Sequence, residues 1–336
     1  MKHQVLRGFT GAAALVALVA LMELAPVAQA PVAQPPSPAP QPAPAPGRQG
    51  GAPPVGAAGR GGGAARSGAN GIEMVPGRGP AGPGYTEPLG KKHVLVLGGP
   101  AGFYHMSTPK AMGTVFELGE QSNLYEADIR TDFSWVTKGQ APHNLDYYDA
   151  IVAVNITGNW PLNDQQKKDF LAFIHDDGKG FVGIHGSLDA NHGTAWPEYV
   201  DMIGGEFLFH PWWVSDAPII VEDPSFPAVR HFPKTFTLTD EMYEPRMETF
   251  SRDKVNVLLR MDDTKLDYEG RMNVRPDHDF PLAWSKMYGK GRVFYSTIGH
   301  VAENFDNPDV RTMYLEAIKW VLRRTDGSTT PHPKVN

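Results

Sequence analysis

Gly178-Lys-Gly-Phe-Val-Gly-Ile-His-Gly-Ser-Leu-Asp189 is the stretch whose reading decides the fold. A Gly-Lys-Gly turn feeds an apolar run, Phe181 to Ile184, that is continuous rather than alternating and is bounded by turn residues. Such a run is a strand buried on both faces, as in a parallel sheet. It ends abruptly in His185-Gly186-Ser187. Open α/β sheets bind ligands beyond the carboxyl ends of their strands. A histidine followed by glycine at that point would present its imidazole at the mouth of the sheet. His210, in Phe209-His-Pro-Trp212, and His300, in Ile298-Gly-His, stand at comparable strand ends. The expectation is that these three imidazoles converge on one site.

The segments on either side agree with a parallel sheet. Val94 to Leu97, followed by Gly98-Gly99-Pro100, reads as a first strand and its turn, with His105 in the loop beyond. Pro109 to Glu120 reads as a helix, Leu124 to Ile129 as a second strand, and Ile151 to Val154 as a third, ending in Asn155. Asn163 with Gln166 three residues on forms a capping box, and Phe170, Leu171, Phe173 and Ile174 mark the buried stripe of the helix it opens. Alternation of this kind implies a parallel sheet with helices on its faces. The second half is irregular and β-rich. A short helix opens at Trp196-Pro197 and stops at Gly204-Gly205. Strands follow at Ala217 to Val221, Phe236 to Leu238 and Val255 to Met261. Pro281 to Tyr288 and Arg292 to Ile298 read as a hairpin. Asn307 caps a final helix, in which Val310, Met313, Tyr314, Ala317, Ile318, Val321 and Leu322 repeat at helical period.

The 31 prolines and 36 glycines of the 336-residue chain are concentrated in its first quarter and describe a tail, not the fold. Lys2, Arg7 and the apolar run Gly11 to Met22 make residues 1–30 a signal peptide, with Ala28-Gln-Ala30 as a small-x-small cleavage site. The run is shorter than the ~20 residues a spanning helix needs, which favours export over an uncleaved anchor. Residues 31–90 read as a disordered Pro/Ala/Gly-rich linker, too poor in apolar side chains to offset the entropy of ordering them. A folded domain is expected over 91–325 and a polar tail over 326–336. The location implied is periplasmic or secreted, with no membrane span after signal removal.

The chain has no cysteine, which excludes disulfides, a thiol nucleophile and thiolate metal sites. Its net charge of −6 and lack of a basic cluster give no reason to expect nucleic acid. Gly98-Gly-Pro-Ala-Gly102 breaks the dinucleotide fingerprint and no P-loop is present, so no nucleotide cofactor is expected. Ser187 follows His185 but lacks a nucleophile elbow. Three imidazoles with an open fourth position make a catalytic zinc-type geometry. The irregular spacing, with no His-x-x-x-His element, favours a metal-free polar pocket over a metal site, which stays the alternative. Glu241, in Thr239-Asp-Glu-Met-Tyr-Glu244, has the chemistry of a general acid or base, or of a ligand, whereas Asp240 reads as part of a solvated turn. Asp189, four residues past His185, either orients that imidazole through its second nitrogen or caps the next helix. Trp160, Trp196, Trp212 and Trp213 fall in loops near the expected mouth, where they stack on sugar faces or form satellite core.

Gly180-Phe-Val-Gly-Ile-His-Gly-Ser187, Trp196-Pro-Glu-Tyr199 with Ile203-Gly-Gly205, His210-Pro-Trp212, Thr239-Asp-Glu-Met-Tyr243, Pro281-Leu-Ala-Trp284, Gly289-Lys-Gly-Arg-Val-Phe-Tyr295 and Gly299-His300 occur in this order. Together they resemble the ThuA-like (trehalose utilisation) family over about Lys91 to Arg323. The resemblance implies a class I glutamine amidotransferase-like fold, a flavodoxin-like parallel sheet with helices on both faces. It puts His185 where amidotransferases carry their catalytic cysteine, so glutamine hydrolysis by a thiol is out. It places His105 in the family's opening segment and Tyr243 in its Asp-Glu-x-Tyr segment. The function expected is that of an exported protein acting on a disaccharide, glycoside or keto-sugar, as a metal-dependent hydrolase or lyase. His185, Glu241 and Asp189 would be catalytic, and His105, Trp160, Trp212 and Tyr243 would contact the sugar. His185, His210 and His300 would hold a divalent metal such as zinc. The alternative is a non-catalytic carbohydrate-binding or cell-surface module. A homo-oligomer is compatible with either.

Overall fold

The structure, a computed structural model, describes residues 91–99, 101–139 and 143–335. The signal peptide and linker assigned to residues 1–90 lie outside the described residues.

The chain opens with β1 (Lys92–Gly98), α1 (Thr108–Ser122), β2 (Tyr125–Arg130), β3 (Ala150–Val154), α2 (Asp164–His175) and β4 (Gly180–Ile184). It continues through α3 (Pro197–Ile203), β5 (Phe207–Phe209), β6 (Val214–Val221), β7 (Thr235–Glu241), β8 (Glu244–Pro245), β9 (Asn256–Met261), β10 (Pro281–Tyr288), β11 (Gly291–Ser296) and α4 (Pro308–Val321). Nine strands form one sheet in the order β2-β1-β3-β4-β11-β10-β9-β6-β7, and β5 pairs with β8 separately. Strands β2, β1, β3, β4 and β11 are mutually parallel, and every pair from β11 to β7 is antiparallel. The irregular second half is therefore not a separate layer. It extends the parallel sheet edge to edge.

Local chemistry explains the elements. The Asn163 side chain accepts from Gln166 N at 2.9 Å while Gln166 Oε1 accepts from Asn163 N at 3.2 Å, closing the capping box of α2. Asn307 caps α4, and Pro308 occupies a first-turn position that needs no N–H. Along β1, Val94 and Val96 face one core with α1 and α4, whereas Leu95 and Leu97 face the other with α2 and α3. This period of two puts helices on both faces. The polar segment after α4 is tied to the sheet: Asn256 and Ser285 donate to Ser328 O, His332 Nε2 meets Val257 O at 2.9 Å, and Arg260 donates to Val335 O.

The topology also decides where the site lies. Gly98, Val154, Ile184 and Ser296 stand level at the carboxyl edge of the parallel strands. Alternating directions across β10, β9 and β6 bring the carboxyl end of β7 to that edge. They bring the amino end of β6, and the turn before it, there as well. Residues just after β1, β4, β7 and β11 and just before β6 thus share one rim.

Candidate active site

His185 is the first residue past β4 and has φ +43°, a left-handed backbone that non-glycine residues rarely adopt. Its Nδ1 lies 2.6 Å from Thr297 O, just past β11. A carbonyl only accepts, so Nδ1 carries a proton, and Nε2 is the nitrogen that faces Glu241. That Nε2 is buried, has no hydrogen-bond partner, and stands 3.5 Å from Glu241 Oε2. Around the same carboxylate lie His300 Nδ1, 2.9 Å from Oε2, and His210 Nδ1, 3.7 Å from Oε1. The three histidines singled out in the sequence therefore meet at Glu241.

His105 completes the group. Its ring is edge-on to those of His185 and His300, at 4.7 and 5.1 Å between centroids, and its Nε2 is 3.3 Å from the Tyr243 hydroxyl. One donor atom from each of His105, His185, Glu241 and His300 lies within 4.8 Å of the other three. His105, assigned to sugar contact from the sequence, is thus inside the tightest cluster, and His210 stands one step outside it. The His105 loop is held by Ser107, which donates to Gly299 O at 2.7 Å and accepts from Asn155 Nδ2 at 2.9 Å. Gly186 makes room for it: a Cβ there would lie 3.1 Å from His105 Cε1 and 3.0 Å from Thr157 Cγ2.

The electrostatics are those of a buried carboxylate among imidazoles. Burial alone would raise the Glu241 carboxyl, but hydrogen bonding and charge from His185 and His300 outweigh it and hold the group well below the usual range. The Glu241 carboxylate in turn raises His300. Burial, reinforced by His185 and His300, lowers His105 to about 3, so that ring is neutral at physiological pH. Burial lifts the Tyr243 phenol well above its usual value, which keeps it a hydrogen-bond donor.

Three sequence assignments change. Asp189 does not orient His185, whose Nδ1 is taken by Thr297. Its carboxylate pairs with His192 Nε2 at 3.1 Å while still lining the cavity. Asp240 is not in a solvated turn but fully buried. It accepts from Glu241, His300 and Val301 N–H on one oxygen and from Gly299 N–H and Asn304 Nδ2 on the other, all at 2.8–3.0 Å. Trp160 and Trp212 are core. Trp160 packs among Phe170, Trp196 and Tyr199, and Trp212 packs on Phe280 with its Nε1 donating to Asp267 O. The indole that does line the cavity is Trp213, together with Phe103 and Phe207. Nothing local in the sequence distinguishes Trp213 from Trp212. The signal for Asp240 was its position beside Glu241 at a strand end.

A mostly parallel sheet with helices on both faces is a class I glutamine amidotransferase-like fold, and the residue after β4 stands at its rim. In this chain the rim residue is a histidine. Two solved structures share the fold. A ThuA-like protein from Bacteroides uniformis is 22% identical, with 72% of this chain and 95% of that chain covered and a TM-score of 0.56. One from Parabacteroides merdae is 16% identical, with 73% and 93% covered and a TM-score of 0.51. The ThuA model, described as trehalose utilisation, matches residues 93–321, and the chain belongs to that family. No curated protein matches it. Family membership ties the chain to a carbohydrate-related role.

Proposed function

We propose that the chain is an exported, metal-dependent enzyme acting on a disaccharide, glycoside or keto-sugar. The observation that carries the reading is the cluster of His105, His185, Glu241 and His300 at the sheet rim, with one donor atom from each within 4.8 Å of the other three. Three imidazoles and a carboxylate brought that close together in a mostly buried site fit a cation. Three imidazoles and one carboxylate suit a divalent transition metal, zinc foremost, rather than calcium or magnesium, which take oxygen ligands. Bound there, the ion would polarise a substrate oxygen as a Lewis acid. The chain's own residues divide the remaining work. Thr297 O fixes the His185 tautomer and ring plane. Tyr243 holds a proton against the cavity. Asp189, backed by His192, supplies a second carboxylate on the cavity wall that can take or return one. Export is supported by Lys2, Arg7 and the Gly11 to Met22 run.

Metal analysis of the purified chain, followed by turnover assays on neutral disaccharides, aryl glycosides and their keto derivatives, tests the reading. About one zinc per chain is expected in the native protein, with loss in a folded His185→Ala variant. Stoichiometric metal retained by that variant, or no metal and no turnover in the native chain, overturns it.

A further inference from the structure

The cavity in front of the histidines encloses about 210 Å³. Pockets that take a whole drug-sized ligand run to ~300–1,000 Å³, so this one holds a single sugar-sized ring and leaves the rest of a larger ligand outside. Two aromatic side chains stand where that remainder would emerge. Phe103 and Trp213 line the cavity yet are 64% and 59% exposed. Each is braced from behind. The Trp213 indole lies against the His210 ring at 4.3 Å, and His210 is stacked on Phe209 at 5.0 Å and 17°. Phe103 is edge-on to His105 at 4.9 Å.

Trp213 also has φ +51°, unfavourable for any residue with a Cβ. Backbone held in such a region marks places where the fold enforces one side-chain placement. Here the left-handed turn sends consecutive indoles to different places, Trp212 into the core and Trp213 to the cavity mouth. The lining includes two carboxylates, Asp189 and Glu241, and no lysine or arginine. At the outer end, beside Phe103 and Trp213, no lysine or arginine of the lining is placed to pair with a phosphate or carboxylate on the outer half of the ligand.

We infer that Trp213 and Phe103 form an outer subsite for an uncharged, flat ring with an apolar face, joined to the sugar ring that enters the histidine cavity. A second sugar ring and an aryl aglycone both offer that chemistry, because an aromatic face stacks on either. The inference rests on the carbohydrate reading of the inner site and adds where the second half of the ligand lies.

The test uses the full zinc-loaded chain and three probes: glucose, trehalose and p-nitrophenyl glucoside. Affinities are measured by calorimetry or saturation-transfer NMR for native protein, Trp213→Ala, Trp213→Phe, Trp213→Gly and Phe103→Ala. Trp213→Gly removes the ring while accepting the positive φ, so it guards against misfolding. The expected result is about a tenfold loss of affinity for a two-ring probe, the scale of one aromatic stacking contact, with glucose changed by less than about twofold. Trp213→Phe restores most of the loss. A loss confined to trehalose identifies a sugar in the outer subsite, and one confined to the aryl glucoside identifies an aglycone. An equal loss for glucose, or no loss in folded, metal-loaded Trp213→Gly, overturns the inference while leaving the inner site standing. Failure of the native chain to bind any of the three or their keto derivatives overturns both.

Discussion

Replacing Asp240 with asparagine changes one oxygen to an NH2 group without changing shape, in a place where all five hydrogen-bond partners donate. If the amide nitrogen takes the Oδ2 position, it faces Gly299 N–H, formerly at 2.8 Å, and Asn304 Nδ2, formerly at 2.9 Å. If it takes the Oδ1 position, it faces the N–H groups of Glu241, His300 and Val301 instead. The first arrangement strands fewer donors and is the one the variant adopts. Burial alone lifts the Asp240 carboxyl above its usual range, but with only donors around it the ionised form is the one that fits. Each buried donor left without an acceptor costs ~1–3 kcal/mol, so two predict a loss of ~2–6 kcal/mol. The consequence reaches the site because these bonds hold Glu241 and the Gly299-His300-Val301 turn on one carboxylate. Loosening them lengthens the 2.9 Å approach of His300 to Glu241. Urea denaturation of the metal-free protein gives the stability change, and zinc titration of the folded variant gives the site's response. A variant within about 0.5 kcal/mol of native, the scatter of surface substitutions, with unchanged zinc affinity would refute this account.

Two further substitutions probe the surroundings. Gly186→Ala puts a methyl 3.0–3.1 Å from Thr157, Asn155 and His105; overpacking of that kind costs ~1–3 kcal/mol, and zinc affinity should fall with it because His105 is the group displaced. Glu244 is fully buried with Oε1 unpartnered, and burial lifts its carboxyl from 4.5 to about 8. The folded state therefore keeps this proton where the unfolded chain has lost it. Stability is full below pH ~4.5 and declines as pH rises through ~8, by on the order of 3–5 kcal/mol from this group. Glu244→Gln should flatten that decline, read from melting temperature against pH; an identical slope in both proteins would rule the group out.

Much of the architecture is legible in the sequence because it is written in short-range terms. The continuous run Phe181 to Ile184, the Asn163–Gln166 box and the Asn307-Pro308 helix start each depend on neighbours a few residues away. The ordered set of motifs from Gly180 to His300 added the family. Parts of the site were legible for the same reason: His185, Glu241 and His300 follow recognisable strands, and strand ends of a parallel sheet share a rim.

What the sequence by itself determined is the set of elements, their period, and hence a parallel α/β core with polar residues at its carboxyl edge. Only the tertiary structure decided which of those residues touch. His105 and His185 are 80 positions apart in the chain, yet their rings are 4.7 Å apart. Asp189 lies four residues from His185 but pairs with His192 instead, and a carbonyl 112 positions on, Thr297 O, takes His185 Nδ1. Trp212 and Trp213 are adjacent and chemically identical, and one turn of the chain buries the first and exposes the second. Contacts of this kind depend on strand order, strand direction and single backbone dihedrals. They are properties of the assembled sheet, which local residue patterns do not encode.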